Sequence, residues 1–241
     1  MISFNNYVRP KTIEEAYELN QSIKNVVGSG MMWLHLSNSE YDTYIDLCDL
    51  GLNQIEENEE YFKIGSMVTL SELENYEPFK KYFSNSFEEC LKHIVGVQFR
   101  NSATIGGSIC AKLAFSDVIT LLLPLDVKLV FYNQKEILLI DYLSNKNTRD
   151  ILEYIIIPKK KIAISYKSVR KTFTDLPILN VCGIKTEEGY KFAVGSRPAI
   201  AVLVNENEEV SFGSNQRGSA EYRKHLYEVL KTRITEELEG N

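Results

Sequence analysis

The chain has 241 residues, 44% of them hydrophobic and 25% charged, the balance of a soluble globular protein long enough to bury one large core or two modest ones. Its net charge of −6 and the absence of any basic stripe, with Lys159–Lys161 the longest lysine run, argue against a nucleic-acid partner. No basic stretch followed by an apolar one opens the chain, and the apolar run 118–131 is broken by Pro124, Asp126 and Lys128, so neither a secretory signal nor a membrane span is expected.

In chain order, Thr12 and Glu15 form a capping-box pair ahead of an amphipathic helix through Leu19. A strand, IKNVV, runs into the glycine loop GSGMMW, and YIDLCDL reads as the next strand. The polar EENEE at 56–60 predicts a surface turn. YFKIGSMV is a strand, and Thr69 with Glu72 caps the helix after it. SFEECLKHIV predicts a helix, followed by RNSATIGGSI and a buried segment around SDVITLLLPL. VKLVFYN and KEILLIDYL read as strands joined at Asn133–Gln134, and EYIIIP as another strand. From about Lys159 a run of short strands (AISYKSV, PILNVCGIKT, YKFAVGS, AIAVLVN) turns at Glu188–Gly189 and near Pro198. One long helix from about Ser219 ends the chain, with Tyr222, Leu226, Val229, Leu230, Ile234 and Leu238 at the spacing of one apolar face. Strands followed by a packing helix predict an α+β unit there.

Cys48, Cys90, Cys110 and Cys182 lie far apart without a CxxC pair, so disulfides and a zinc site are not expected and free thiols in a reducing cytoplasm are. The chemistry-bearing stretches are the two glycine loops. Gly28 and Gly30 give GxG, with Asp46 and Asp49 about twenty residues on, as in a dinucleotide fingerprint. Trp33 stands where the third glycine belongs, and the following helix has little room, which speaks against a Rossmann fold. A pyrophosphate could instead be bound by amides from two turns, one at Gly28, Ser29 and Gly30 and one at Thr104, Gly106, Gly107 and Ser108. Two tight turns with no ligand remain the plain alternative.

The order of motifs resembles the FAD-binding subunit of the molybdenum hydroxylases, the xanthine dehydrogenase and carbon monoxide dehydrogenase flavoprotein family. The resemblance runs through YVRPKTIEEAYEL, VGSGMMWL, IDLCDL, FKIGSMVTLSEL, SYKSVRK and RGSAEYRKHL, and is strongest at VQFRNSATIGGSICAKLAFSD, where Asp117 lies 13 residues beyond Thr104. It implies an α+β fold: a two-part FAD-binding domain of the vanillyl-alcohol-oxidase-like type at 1–158 (parts about 1–57 and 58–158), then a small α+β domain at 159–241 with an antiparallel sheet and a packing helix. Implied for the site are Val27, Gly28, Ser29, Gly30 and Met31 in a first pyrophosphate loop and Thr104, Gly106, Gly107 and Ser108 in a second, where a Cβ would strike phosphate oxygens. Asp117 would accept hydrogen bonds from the cofactor, Ile94 and Leu152 would touch the flavin, and Lys167 would lie at its pyrimidine edge. His35, His93 and His225 match no family function.

The resemblance further implies non-covalent FAD in a cytoplasmic oxidoreductase complex. Molybdopterin and iron–sulfur clusters would sit only on partners, a molybdenum-binding large subunit and a 2Fe–2S small subunit, with NAD as a possible acceptor. This chain departs from the family pattern in two places: GSGMM replaces GGTDL, and few residues separate AVGSRP from RGSAEYRK. An FAD-free scaffold subunit and a stand-alone flavin reductase of the same fold are the competing readings.

Overall fold

The computed structural model describes residues 2–145 and 148–240, so Met1 and Asn241, the outer limits of the two expected domains, lie outside it. Its strands form three sheets. The first contains β1 (Ser3–Val8), β2 (Asn25–Gly28) and β3 (Glu40–Asp46) in the order β1-β3-β2, all parallel. Helix α1 (Ile13–Asn20) crosses between β1 and β2 and packs Ala16 against Ile45 and Leu47. Its N-cap is the predicted one: Glu15 N donates to Thr12 Oγ1 at 3.1 Å, and Lys11 N donates to Glu15 Oε2 at 2.8 Å. Strand β1 has no signature in sequence, since its residues are almost all exposed. Pairing with β3 and the stacking of Phe4 and Tyr7 on Tyr44 hold it at the edge.

The second sheet is antiparallel, with β4 (Ile55–Glu57), β5 (Tyr61–Gly65), β6 (Lys128–Phe131), β7 (Lys135–Leu138) and β8 (Leu152–Pro158) in the order β4-β5-β8-β6-β7. Between β5 and β6 come six short helices, α2 (Leu70–Glu74), α3 (Lys80–Phe83), α4 (Ser86–Leu91), α5 (Val97–Arg100), α6 (Ile105–Cys110) and α7 (Asp117–Leu122). They cover the sheet through a core that includes Phe62, Phe79, Phe83 and Phe87. Two expectations need correction. The expected turn at 56–60 begins later, because β4 takes Ile55–Glu57, and Asn58 Oδ1 then accepts from Glu60 N and Tyr61 N at 2.9 Å. The expected strand 135–143 stops at Leu138 and continues as α8 (Leu139–Ser144). Leu139 and Tyr142 both enter the core, and three-residue spacing reaches one face only in a helix.

The third sheet, also antiparallel, holds β9 (Ile164–Val169), β10 (Leu179–Thr186), β11 (Gly189–Gly195) and β12 (Val202–Asn205), ordered β12-β11-β10-β9. One face carries the long helix α9 (Ala220–Gly240), which comes so close that a Cβ on Gly183 would lie 2.4 Å from Ile234. From the other face Tyr166, Cys182 and Ala193 join the core of the second sheet, so the two sheets share one packed layer of helices. On α9 the buried stripe includes Leu226, Leu230, Ile234 and Leu238 as expected, but Tyr222 turns out to solvent and Arg223 turns in, 1% exposed. Its guanidinium donates to the carbonyls of Ile178 (3.0 Å), Gly213 (2.8 Å) and Gly218 (2.5 Å) and to Asn215 Oδ1 (2.6 Å).

Arg223 therefore fastens the 213–218 loop to the helix. Replacing it by Met keeps the stem and strands four acceptors, which costs about 3 kcal/mol. Urea unfolding should show that loss for Arg223→Met and a smaller one for Arg223→Lys; a midpoint equal to wild type for Arg223→Met would contradict the assignment.

Candidate functional site

Past the end of β2 the chain reverses through Ser29, Gly30 and Met31, with φ of +72° at Gly30 and +57° at Met31. Glycine is obligatory at position 30, because a Cβ there would sit 1.8 Å from the carbonyl oxygen of Ser102. Met31 takes the left-handed conformation without that freedom. Its carbonyl is fixed by His35, whose backbone N donates at 3.0 Å and whose Nδ1 lies at 3.0 Å.

The second loop begins with Arg100, which is 6% exposed and grips Glu74 with Nε (2.6 Å) and Nη2 (3.2 Å) and so anchors α5 beside α2. Thr104 is then the N-cap of α6. Its Oγ1 accepts from Gly107 N at 3.1 Å, and its carbonyl accepts from Ser108 N at 3.0 Å and Ser108 Oγ at 2.8 Å. The hydroxyls of Ser29 and Thr104 share a hydrogen bond, so the two loops are tied directly. Together they border a cleft of about 310 Å³ whose other walls include Met32, Trp33, Ser66, Cys110 and Asp150.

The adjacent glycines have a local reason. A Cβ on Gly106 would stand 2.6 Å from Ser66 O, and one on Gly107 would stand 3.2 Å from both Ser29 O and Thr104 Oγ1. Gly106 lets α6 seat on the turn after β5, and Gly107 lets the two loops touch. These contacts inside the chain call for bare glycines at both positions, beside the expectation that a Cβ there would strike phosphate oxygens. Donor bookkeeping separates the loops as well. The amides of Gly106, Gly107 and Ser108 are spent on Ser66 O (2.9 Å), Thr104 Oγ1 and Thr104 O. Among the described residues, no hydrogen bond is formed by the amides of Gly30, Met31 and Met32.

A smaller cavity of about 40 Å³ adjoins the cleft, with Trp33 and Ser108 in the walls of both. It is lined also by Ile94, Phe115, Asp117 and Arg170. Asp117 opens α7 and is 6% exposed; its Oδ1 accepts from Tyr166 Oη, Arg170 Nη2 (2.6 Å) and Asn180 Nδ2 (2.9 Å), all from the third sheet or the segment just after β9. Burial and the neighbouring carboxylate push the Tyr166 hydroxyl well above its ordinary pKa. Burial opposes the Arg170 charge, but the Asp117 carboxylate outweighs it and holds the guanidinium pKa above its usual value.

Of the residues singled out in sequence, Val27, Ser29, Met31, Thr104, Gly106, Gly107, Ser108 and Leu152 line the cleft. Gly28 and Gly30 border its lining residues in sequence without lining it; at Gly28 a Cβ would lie 1.9 Å from the Tyr44 ring. Ile94 and Asp117 line the smaller cavity. Lys167 reaches neither. Strand alternation puts it beside Val181 on the α9 face, where it pairs with Glu237, whereas its neighbour Tyr166 faces Asp117. Sequence reasoning missed Ser66, Cys110 and Asp150, which carry no local signal, and noticed Trp33 only as a residue that is not glycine.

The profile described as the FAD binding domain in molybdopterin dehydrogenase matches residues 2–160. The chain belongs to this FAD-binding-domain family. YgfM of Escherichia coli K12 is 23% identical over 244 residues, covering 93% of this chain and 92% of that one. Abscisic-aldehyde oxidase of Arabidopsis thaliana is 28% identical over 131 residues, 52% of this chain and 10% of that protein. Among solved structures, quinoline 2-oxidoreductase from Pseudomonas putida 86 superposes with a TM-score of 0.86 at 15% identity, covering 98% of this chain and 97% of that one. Carbon monoxide dehydrogenase from Oligotropha carboxidovorans does so with 0.86 at 18% identity and 98% of each chain. At such identities the likeness establishes the fold, which is that of these oxidoreductase chains.

FAD is the cofactor of the family, and the cleft suits its pyrophosphate. Three amides that form no hydrogen bond among the described residues lie in succession on a turn that bends through positive φ, the geometry of a backbone anion site.

Two glycines separate backbone strain from close approach. Gly51 has φ +69° with nothing within 4 Å of a Cβ, whereas Gly30 has φ +72° and the Ser102 carbonyl at 1.8 Å. Gly51→Ala should cost about 1 kcal/mol. Gly30→Ala should cost at least about 2 kcal/mol more, from overpacking. Equal midpoints in denaturant for the two variants would contradict the seating of the first loop on Ser102.

Proposed function

We propose that this chain is the FAD-carrying electron-transfer subunit of a cytoplasmic molybdenum hydroxylase of the xanthine dehydrogenase type. Its partners in this reading are a molybdenum-binding large subunit and a 2Fe–2S small subunit, and its final acceptor is NAD or another small oxidant. FAD bound non-covalently supplies the two-electron chemistry, accepting reducing equivalents from the iron–sulfur side and yielding them to the acceptor. Residues 1–158 form the cofactor domain in this reading, and 159–241 the domain that closes on it.

The observation that carries the proposal is the first loop, with its unspent amides at Gly30, Met31 and Met32, braced by Thr104 through the Ser29 hydroxyl. Those amides hold the pyrophosphate, while Gly107 lets the two loops touch, Gly106 seats α6 on Ser66, Ser108 closes onto Thr104 and Gly28 makes room for Tyr44. Among the described residues no donor is bonded to Asp117 Oδ2, which leaves that oxygen to accept from a cofactor hydroxyl or amine while Oδ1 holds the carboxylate in place. Val27, Ile94 and Leu152 supply apolar contact. Lys167 has no part in this site, being committed to Glu237. The scaffold reading draws support from one observation, the Trp33 side chain standing between the cleft and the cavity beneath Asp117.

The purified chain or its complex should show flavin absorbance and release FAD on denaturation, and apo-protein should be stabilised by about 2.7 kcal/mol at FAD a hundredfold above Kd. Gly107→Val forces the loops apart at the 3.2 Å contact and should abolish that stabilisation while the unliganded fold persists. A colourless protein that gains no stability from added FAD would sink the proposal and favour the scaffold.

A further inference from the structure

The cleft and the smaller cavity are neighbours that do not join. Trp33 and Ser108 border both, and Trp33 is the larger obstacle. Its indole meets Phe99 edge-on with centroids 5.4 Å apart and Phe115 likewise at 5.3 Å, a three-ring cluster that also walls the cavity. With Trp33 in place the cavity is about 40 Å³, far smaller than the cleft of about 310 Å³.

The cavity is nevertheless built like a recognition pocket. Ile94, Leu70 and Val118 give it apolar walls, and Asp117, locked by Tyr166, Arg170 and Asn180, contributes the carboxylate. The unspent amides at Gly30, Met31 and Met32 immediately precede Trp33, so a pyrophosphate held there stands at the doorway. FAD carries a ring system on each side of its pyrophosphate. In the FAD reading one of them lies in the 310 Å³ cleft, and the smaller cavity beyond Trp33 is the neighbouring space left for the other.

We propose that Trp33 is a plug displaced by the cofactor: the indole leaves its edge contacts with Phe99 and Phe115 and lays its face on the ring system that enters beneath Asp117. This rests on the FAD reading above. Met31, two residues before the plug, holds a positive φ without being glycine. A left-handed non-glycine residue is a costly conformation that recurs at switch regions. The edge contacts keep the closed form dominant, so binding requires a minor open form.

Trp33 is the single tryptophan of the chain, so its one indole N–H resonance reports the plug without assignment work. The test follows that resonance in full-length, flavin-free protein as FAD or inorganic pyrophosphate is added. FAD should shift it and erase its through-space contacts to Phe99 and Phe115, while pyrophosphate, which fills only the loop, should leave it in place. In stopped flow the wild-type association rate should level off at high FAD, and Trp33→Ala should remove the plateau and bind at least about tenfold faster there. Trp33→Leu serves if the alanine variant does not fold. FAD saturation without movement of the indole resonance, or variant rates equal to wild type, would overturn the plug alone. Failure of FAD to bind at all would overturn the plug and the functional reading together.

Discussion

The hydroxyls of Ser29 and Thr104 share one hydrogen bond across 75 positions of sequence, and the geometry of the cleft depends on it. Thr104 is held by α6, whose first turn is bonded to Ser66 and Val68, so a rigid helix start is joined to a loop that holds two positive φ angles. The contact is short-range and needs bare backbone on both sides, which is why Gly30 and Gly107 stand where the loops approach Ser102 and each other. The second loop spends its amides to stay folded, whereas among the described residues the amides of Gly30, Met31 and Met32 form no hydrogen bond. In the FAD reading proposed above, the second loop is the brace and the first the cradle.

Asp117 plays the corresponding part between the second and third sheets. A carboxylate 6% exposed would be costly without partners, yet here it gathers a tyrosine hydroxyl, a guanidinium and an amide on one oxygen. That knot couples α7 to β9 and β10 and fixes the wall of the smaller cavity. Removing any single donor leaves a buried charge underpaired, so the knot is costly to lose whatever its net contribution to stability. The same arrangement explains why Lys167 lies elsewhere. Once Tyr166 is turned toward Asp117, strand alternation sends Lys167 to the α9 face and to Glu237.

Much of this was legible in the chain. The Thr12–Glu15 and Thr69–Glu72 caps and the runs that became β5, β8 and β9–β12 all follow from local pattern, and the family resemblance implied the meeting of the two glycine loops. What stayed hidden depends on partners distant in sequence. RNSATIGGSI marks glycines as necessary, but the carbonyls they must avoid belong to Ser66 and Ser29. Strand β1 exists because β3 and Tyr44 are beside it. Arg223 lies in an apolar stripe because a carbonyl-rich loop folds over it, and no helical periodicity announces that. Trp33 was visible as a residue, but its position between two cavities was not.

Residue-resolved amide hydrogen exchange, with and without FAD, tests most directly whether the first loop is the cradle and the second its brace. The amides of Gly30, Met31 and Met32 should exchange freely in the flavin-free protein and become protected when FAD binds. Those of Gly106, Gly107 and Ser108 should be protected in both states, since their acceptors lie within the chain. Protection gained at Gly106–Ser108 while residues 30–32 remain unchanged would contradict the account.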